Sequence, residues 1–315
     1  MNRMRRIVLI GLAISVACSG GGEAEEITSL RFEALPAIAE SEVAPLESHR
    51  ARDGAELPMR YYPAESQTTL LLVHGSAYHS RYLAPLAHRL AASDAARVYT
   101  PDLRGHGQSP ERRGDIDYID QLEDDLADLV AHARERHRAS RIVIGGHSSG
   151  GGLAVRFAGS RHQKLADGYL LLAPFLGHDA PTTRENAGGW AHPRLPVIIG
   201  LSILDGFGIT ALNGTTALTF AMPESARDGS ETLSYSFRLM TGFALRDSRK
   251  DLADVSQPML ALIGAEDEAF LPEQLAPTLS FVATATVETL PAVGHLDLPS
   301  APATADAITH WLGGL

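Results

Sequence analysis

The sequence GHSSG at residues 146–150 constrains the fold of this chain more than any other feature. Residues 141–144 before it form a short apolar, β-branched stretch that predicts a buried strand, and residues 151–162 after it predict a helix. A serine in such a strand–helix turn, with a glycine two positions to either side, is the nucleophile-elbow pattern. The glycines are needed because a Cβ at either position would collide with a neighbouring element. We therefore expect the Ser148 hydroxyl to stand clear of a sheet, with the Ser149 N–H at a helix N-terminus that favours negative charge.

Length and charge limit the remaining possibilities. The chain has 315 residues, 44% of them hydrophobic and 21% charged, which suits one large α/β domain, with or without an insertion. Its formal net charge is −11, so we expect no nucleic-acid partner. His74, His106 and His147 lie in separate loops without metal-ligand spacing, so we expect no metal site. We expect no cofactor either.

The N-terminus has the pattern of an export signal over residues 1–18, in which six residues with three arginines precede an apolar stretch. Signal peptidase could cut after Ala17, or Cys18, the single cysteine, could be the acylated first residue of a bacterial lipoprotein; an uncleaved anchor is the alternative. Residues 19–46 read as a flexible tether and N-terminal extension. We therefore expect an exported protein, either tethered as a lipoprotein through Cys18 to the periplasmic face of a bacterial membrane or released as a secreted or periplasmic protein, with a folded domain over residues 47–315.

The rest of the chain alternates between strand and helix patterns. Asp53-Gly54 predicts a hairpin turn between two extended segments at the edge of the sheet. Further strands are predicted at residues 69–73, 97–100, 168–174, 258–263 and 286–290, and helices at residues 78–92, 117–138 and 301–312. The pattern favours an α/β fold with a mostly parallel sheet.

The strand at residues 69–73 runs directly into the sequence HGSA. A backbone N–H at this strand end could stabilise an oxyanion formed at Ser148. We assign this role to Ser76, with Ala77 as the alternative. The competing interpretation is an ordinary turn at the end of a strand.

Three motifs together resemble the α/β-hydrolase superfamily: VHGSA, PDLRGHGQS at residues 101–109, and GHSSG. Within it, the chain is most similar to monoacylglycerol lipases, lysophospholipases and related serine esterases with a serine aminopeptidase-type hydrolase domain. The resemblance extends from Glu47 to the C-terminus and implies a mostly parallel central sheet flanked by helices, with an inserted cap. It also implies that the second motif is structural, so no chemistry is assigned to Asp102, Arg104 or His106.

The strand–helix alternation stops between about residues 175 and 250, where such hydrolases insert a cap. Its apolar residues would either roof the serine as a wall for an acyl chain or pack the cap onto the domain. They are residues 188–190, 195–204, 207, 218–222 and 237–243.

The resemblance supplies two partners for Ser148 in the chain order serine, acid, histidine. Asp267 is the predicted acid because G-x-x-D after a strand matches the family motif, and His295 is the predicted base because VGH follows the last strand. Glu266 and Glu268 flank the acid and are interpreted as solvated loop charges. His147 is interpreted as packing behind the elbow.

These residues predict a serine hydrolase that cleaves carboxylic esters through an acyl-enzyme. Lipid-like esters such as lysophospholipids or monoacylglycerols are favoured, and the expected partner is a small-molecule or lipid ester rather than a protein. The same triad would also suit a peptidase, a thioesterase or an acyltransferase. A non-catalytic binding protein with this fold is a more distant alternative. A dinucleotide-binding loop is disfavoured because the glycines lie in the middle of the chain without the expected acidic partner.

Overall fold

The structure is a computed structural model that describes residues 30–32, 35, 38–137, 141–184 and 189–315. The predicted signal peptide, residues 1–18, and most of the predicted tether lie outside the described residues. Within the described ranges, none of the helices has the length and apolar character needed to cross a membrane.

The described part of the chain contains eleven strands and eight α-helices, numbered in chain order. The strands are β1 Leu46–Arg50, β2 Glu56–Tyr62, β3 Thr68–Val73, β4 Arg97–Pro101, β5 Arg141–His147, β6 Gly168–Leu172, β7 Ala191–Pro193, β8 Thr216–Phe220, β9 Ser234–Ser236, β10 Met259–Gly264 and β11 Ala285–Leu290. The helices are α1 Ala84–Ala92, α2 Gln121–Arg136, α3 Ser149–Ala158, α4 Leu195–Gly206, α5 Phe237–Phe243, α6 Ser248–Asp251, α7 Pro272–Leu279 and α8 Pro302–Gly313.

Eight strands form the central sheet in the order β1-β2-β4-β3-β5-β6-β10-β11. The six strands from β4 to β11 in this order pair in parallel, whereas β1, β2 and β4 pair antiparallel. Every residue of β3, β6 and β10 is buried, as expected for parallel strands covered on both faces. The predicted edge hairpin is confirmed, with Gly54 at φ +89° in its turn. The predicted fold class is also confirmed.

Three helices differ in extent from the sequence prediction. The predicted helix at residues 78–92 divides into a 3₁₀ turn, Ser80–Leu83, and α1, whose first turn contains a proline with the φ angle that a helix start requires. Helix α3 starts two residues earlier than predicted and ends at Ala158, before Gly159. Helix α2 begins only at Gln121, because the Gln121 side chain accepts a hydrogen bond from the Asp117 N–H and closes a turn before it.

The cap lies between β6 and β10 and has its own antiparallel sheet in the order β7-β8-β9. Helix α4 precedes β8, and α5 follows β9 directly. Four cap side chains, Phe220, Met222, Tyr235 and Phe243, belong to the same hydrophobic core as the central strands. The cap is therefore packed onto the domain through buried apolar surface.

The parallel strands place the predicted site residues at one end of the sheet. The predicted site residues lie in the segments that follow β3, β5, β10 and β11, and the carboxyl ends of neighbouring parallel strands lie together. This is the end of the sheet at which an α/β fold forms its binding crevice.

Candidate active site

The turn between β5 and α3 has the strained geometry expected of a nucleophile elbow. Ser148 adopts φ 56° and ψ −119°, and its N–H donates to the Leu172 carbonyl at 2.8 Å. A Cβ on Gly146 would lie 2.3 Å from the carbonyl carbon of Gly150, and one on Gly150 would lie 2.5 Å from the His74 carbonyl oxygen. Only glycine permits these approaches, so the steric reason for the GHSSG pattern holds in the folded protein.

Asp267 and His295 form a buried hydrogen-bonded pair. Asp267 follows β10, His295 follows β11, and the Asp267 Oδ2 and His295 Nδ1 atoms are 2.9 Å apart. The other carboxylate oxygen of Asp267 accepts the N–H groups of Ala269, at 2.8 Å, and Phe270, at 2.7 Å. These contacts fix the carboxylate, and the carboxylate directs the Nδ1–H of His295 towards itself, leaving Nε2 free to accept a proton.

Burial and neighbouring negative charges have opposite effects on the pKa of His295. Burial disfavours the imidazolium, but the Asp267 carboxylate and, to a smaller extent, Glu268 stabilise it, so that the pKa of His295 is raised above its ordinary value of 6.5. Glu268 also accepts the His295 backbone N–H at 3.0 Å and the Arg31 N–H at 3.1 Å. It is therefore a partner of the histidine loop rather than the solvated charge that the sequence suggested. No local signal reveals this, because Arg31 lies 237 residues away in the chain.

His147 links the elbow to the His295 loop. Its Nε2–H donates to the His295 carbonyl at 3.0 Å, its Nδ1 lies 2.9 Å from the Tyr82 hydroxyl, and its ring centroid is 4.7 Å from that of His295. Burial, and then the neighbouring His295, hold the pKa of His147 well below the ordinary value, so its imidazole is neutral. His147 thus does more than pack behind the elbow, because its ring also forms two hydrogen bonds.

Ser148 directly follows His147 in the chain and is half-buried. In the described part of the chain, however, no hydrogen bond joins its hydroxyl to the His295 imidazole. Catalytic hydrogen bonds are often long or poorly aligned until the substrate is bound, so we expect the hydrogen bond between Ser148 and His295 to form in the substrate complex. The structure brings Asp267 and His295 into direct contact and brings Ser148 to the same strand ends.

The loop after β3 leaves one amide free between two that are bonded. The Gly75 N–H donates to the Tyr82 hydroxyl and the Ala77 N–H donates to the Tyr235 hydroxyl, both at 2.7 Å. Among the described residues, the Ser76 N–H between them has no acceptor. This distinction favours Ser76 over Ala77 as an oxyanion donor.

The second expected donor, Ser149, is the first residue of α3, where backbone N–H groups have no partner within the helix. Its hydroxyl lies 2.7 Å from the Ser76 hydroxyl. The two residues whose N–H groups would hold an oxyanion are therefore linked directly through their side chains.

The PDLRGHGQS loop is held to the surrounding structure by several hydrogen bonds. Arg104 forms a paired hydrogen bond with Asp125 at 2.8 and 2.9 Å, and the Leu103 N–H donates to His74 Nε2 at 3.1 Å. Asp102 accepts the Ser80 N–H at 2.7 Å. These contacts hold the loop against the end of β3 and do not point to chemistry. Across the residues that the structure describes, no group of three or more histidine, cysteine or acidic side chains could hold a metal ion.

The apolar residues of the cap divide between two positions. Phe220, Met222 and Phe243 are buried in the main core and hold the cap on the domain, so they do not present a free wall. Most of the large apolar side chains of α4 and of the following loop are exposed to solvent. Phe270 packs beside His295, with ring centroids 5.1 Å apart.

Comparisons with known proteins agree with this architecture. A family model described as serine aminopeptidase, S33, matches residues 64–290. The chain is 32% identical over 130 residues to lipase LipV of Mycobacterium tuberculosis, covering 41% of this chain and 46% of that protein. It is 31% identical over 111 residues to a monoacylglycerol lipase of Mycolicibacterium smegmatis, covering 35% of this chain and 39% of that protein. The matched region is thus less than half the length of either relative.

Among solved structures, a soluble variant of monoglyceride lipase from Saccharomyces cerevisiae in complex with a substrate analogue superposes with a TM-score of 0.63. The match covers 89% of this chain and 98% of that chain, at 18% sequence identity. At this identity the similarity concerns the fold.

Proposed function

The chain belongs to the serine aminopeptidase, S33, family, and from that premise we propose that it is a serine hydrolase that cleaves carboxylic esters. Ser148 is the nucleophile, His295 the base and Asp267 the carboxylate that orients the base. The observation that carries the proposal is the buried Asp267–His295 hydrogen bond of 2.9 Å at the strand ends where the strained elbow presents Ser148. A binding protein has no need for such an arrangement.

The proposed reaction proceeds through an acyl-enzyme. The Ser148 Oγ attacks the ester carbonyl carbon while its proton moves to His295 Nε2, and the resulting oxyanion accepts hydrogen bonds from the N–H groups of Ser76 and Ser149. The imidazolium then gives the proton to the departing alcohol. A water molecule then attacks the acyl group while its proton moves to His295 Nε2. Collapse of the second tetrahedral intermediate returns this proton to the Ser148 oxygen and releases the carboxylic acid. Each oxyanion donor contributes about 3 kcal/mol to lowering the barrier.

Covalent labelling tests this assignment directly. A fluorophosphonate should modify the protein, and peptide mapping should locate the adduct on Ser148. Turnover of p-nitrophenyl esters of increasing chain length, measured beside an aminoacyl anilide, separates an esterase from a peptidase. Absence of labelling would favour a non-catalytic binding protein, and faster cleavage of the anilide would favour a peptidase.

We propose further that the ester is a lipid presented at a membrane or micelle surface. Helix α4 packs its inner face, which includes Leu201, against Ala217 and Phe237. Its outer face and the following loop expose six large apolar side chains: Leu195, Ile199, Ile203, Phe207, Ile209 and Leu212. Phe207 is 72% exposed and Ile203 57%. Contiguous exposed apolar surface of this kind is typical of contact with another molecule or a lipid surface.

Export of the chain would bring this face to a membrane. We propose that residues 1–18 direct export and that Cys18 is acylated, which would tether the domain to a bacterial membrane through the chain that precedes residue 47. The support for this is the sequence pattern, since the segment lies outside the described residues. Mass spectrometry of the membrane fraction should find a diacylated N-terminal cysteine, whereas cleavage of the same Ala17–Cys18 bond without acylation would leave an unmodified thiol.

Removal of the exposed apolar side chains of α4 and the following loop should impair hydrolysis of esters in a lipid surface but not of soluble esters. The double variant Ile203→Ser/Phe207→Ser should lower turnover of a long-chain monoacylglycerol in vesicles about tenfold, because apolar area that binds lipid is lost. Turnover of soluble p-nitrophenyl butyrate should stay within twofold. The matched control is Phe281→Ser, an exposed phenylalanine outside the cap that should affect neither assay. Equal losses in both assays would indicate a damaged cap, and no loss on vesicles would contradict the lipid-surface proposal.

The raised pKa of His295 sets the acid limb of the pH profile. Only the neutral imidazole can accept the serine proton, so kcat/KM should fall as pH decreases through a pKa above 6.5. Glu268→Gln removes a negative charge that stabilises the imidazolium while an amide oxygen can still accept the His295 N–H. The limb should therefore move to lower pH. Glu266→Gln is the control, because the Glu266 side chain is exposed and pairs with Arg31 rather than with His295, and its limb should not move. An unshifted limb in the Glu268 variant would contradict the electrostatic role.

A further inference from the structure

Ala77, in the loop after β3, has a backbone conformation that alanine rarely adopts. Its φ angle is +65°, in the left-handed region that favours glycine, and its side chain is completely buried. The structure around it must therefore hold it in place. Ala77 directly follows Ser76, so the conformation of one residue sets the direction of the amide of the other.

Both backbone polar groups of Ala77 are bonded to one segment of the cap. Its N–H donates to the Tyr235 hydroxyl at 2.7 Å, and its carbonyl accepts the Thr232 N–H at 2.9 Å. The same segment is fixed to the neighbouring loop, because the Thr232 hydroxyl donates to the Gly105 carbonyl at 3.0 Å. The cap therefore forms two hydrogen bonds with the backbone of Ala77.

The direction of the Tyr235 hydroxyl is determined by His106. The His106 Nδ1–H donates to the Arg104 carbonyl at 3.2 Å, and burial, followed by the neighbouring His74, holds the pKa of His106 well below its ordinary value. The imidazole is thus neutral, and its bare Nε2, 2.7 Å away, accepts the hydroxyl proton of Tyr235. Because the Tyr235 hydroxyl donates its proton to His106, its oxygen can accept the hydrogen bond from the Ala77 N–H.

Tyr82 makes the matching contact on the other side of Ser76. Its hydroxyl accepts the Gly75 N–H at 2.7 Å. Two tyrosine hydroxyls, one from the domain and one from the cap, therefore accept hydrogen bonds from the backbone N–H groups on either side of Ser76. The Ser76 N–H is left as the donor that can face a substrate.

We propose that Tyr235 is a positioning residue for the oxyanion hole: by accepting the Ala77 N–H it keeps Ala77 at positive φ and aims the Ser76 N–H at the developing oxyanion. The inference rests on the proposed function and deepens it. It makes strand β9 of the cap a structural part of the catalytic machinery, because the Tyr235 hydroxyl acts through the Ala77 amide and His106. Movement of β9 away from the domain would release the donor.

The test is Tyr235→Phe, which removes the hydroxyl and keeps the ring. Without it, the Ala77 N–H and His106 Nε2 lose their partners in a buried site, and we expect kcat to fall about tenfold with KM within twofold. Affinity for a trifluoromethyl ketone, which forms a tetrahedral adduct on serine, should fall by the same factor as kcat. A purely structural role would not produce this agreement.

Tyr62→Phe is the matched control. Tyr62 is also buried, and its hydroxyl also accepts a backbone N–H, from Ala44 at 3.4 Å, but it lies on β2 away from the site. Its kcat should be unchanged. In an Ala77→Gly background the Tyr235→Phe penalty should shrink to about twofold, because glycine adopts positive φ without a steric cost. If Tyr235→Phe alone fails to fold, the comparison of Ala77→Gly with the double variant Ala77→Gly/Tyr235→Phe still measures the effect of removing the Tyr235 hydroxyl.

Amide hydrogen exchange separates this inference from the proposed function. Exchange in the peptide covering residues 74–78 should become faster in Tyr235→Phe and not in Tyr62→Phe, whether or not the protein hydrolyses esters. Unchanged exchange would overturn the inference, as would an unchanged kcat in a variant of an active wild-type enzyme. A wild-type protein that neither hydrolyses esters nor reacts with fluorophosphonate would instead overturn the proposed function.

Discussion

Replacing Ser148 with alanine is expected to lower kcat/KM for esters about 10⁶-fold, equivalent to about 8 kcal/mol of transition-state stabilisation. The expected loss is this large because no covalent intermediate can form without the hydroxyl. The fold should be retained: in the described structure this hydroxyl makes no hydrogen bond to the protein, and alanine keeps the Cβ. Steady-state kinetics with a p-nitrophenyl ester and thermal unfolding measure the two effects.

A second serine near the same helix provides the control. The Ser160 hydroxyl donates to the Phe157 carbonyl at 2.7 Å, beyond the end of α3, and Ser160→Ala should leave kcat/KM within twofold. Ester turnover in Ser148→Ala above about one part in 10³ of the wild-type rate would contradict a nucleophilic role for Ser148.

Asp267→Asn is expected to lower kcat about 10⁴-fold. The carboxylate oxygen Oδ1 accepts two backbone N–H groups, so the amide oxygen of asparagine should take that position and turn the NH₂ group towards His295. Nδ1 would then have to accept a hydrogen bond, and the proton would move to Nε2. In that tautomer the imidazole cannot take the proton of Ser148. The pH dependence of kcat measures the change, and its acid limb should move to lower pH because the main charge stabilising the imidazolium is lost.

Asp297 offers a control within the same loop. Its carboxylate accepts the Gly294 N–H at 3.0 Å, next to His295, without touching the imidazole. Asp297→Asn should keep kcat within about threefold. If Asp267→Asn kept a tenth or more of the wild-type kcat, the neighbouring Glu268 would be the better assignment for the orienting acid.

Local patterns were sufficient to predict most of the framework. Alternating apolar strands and amphipathic helices gave the correct fold class, because burial on both faces of a parallel sheet leaves a readable pattern. Helix limits were less well predicted, as in α2, where the Gln121 side chain determines the first turn. The apolar sequence of α4 was compatible with a wall over the serine or with packing onto the domain, because a sequence cannot tell which face of such a helix finds a partner. The structure packs Leu201 inward and exposes Ile203 and Phe207.

Several contacts of the candidate site were beyond sequence reasoning. Glu268 acquires its role from Arg31 and His295, and the Ala77 amide takes its acceptor from Tyr235, 158 residues further along the chain. Neither pairing leaves a periodic or motif signal. Such contacts depend on where the cap and the N-terminal extension lie on the finished fold.

The sequence by itself determined the elbow, since the steric limits on Gly146 and Gly150 act within a few residues and only one kind of turn satisfies them. It also determined the chain order of serine, acid and histidine. Only the tertiary structure decided which amide stays free to stabilise an oxyanion. That choice depends on two tyrosine hydroxyls that satisfy the N–H groups of Gly75 and Ala77, and one of the two comes from the cap.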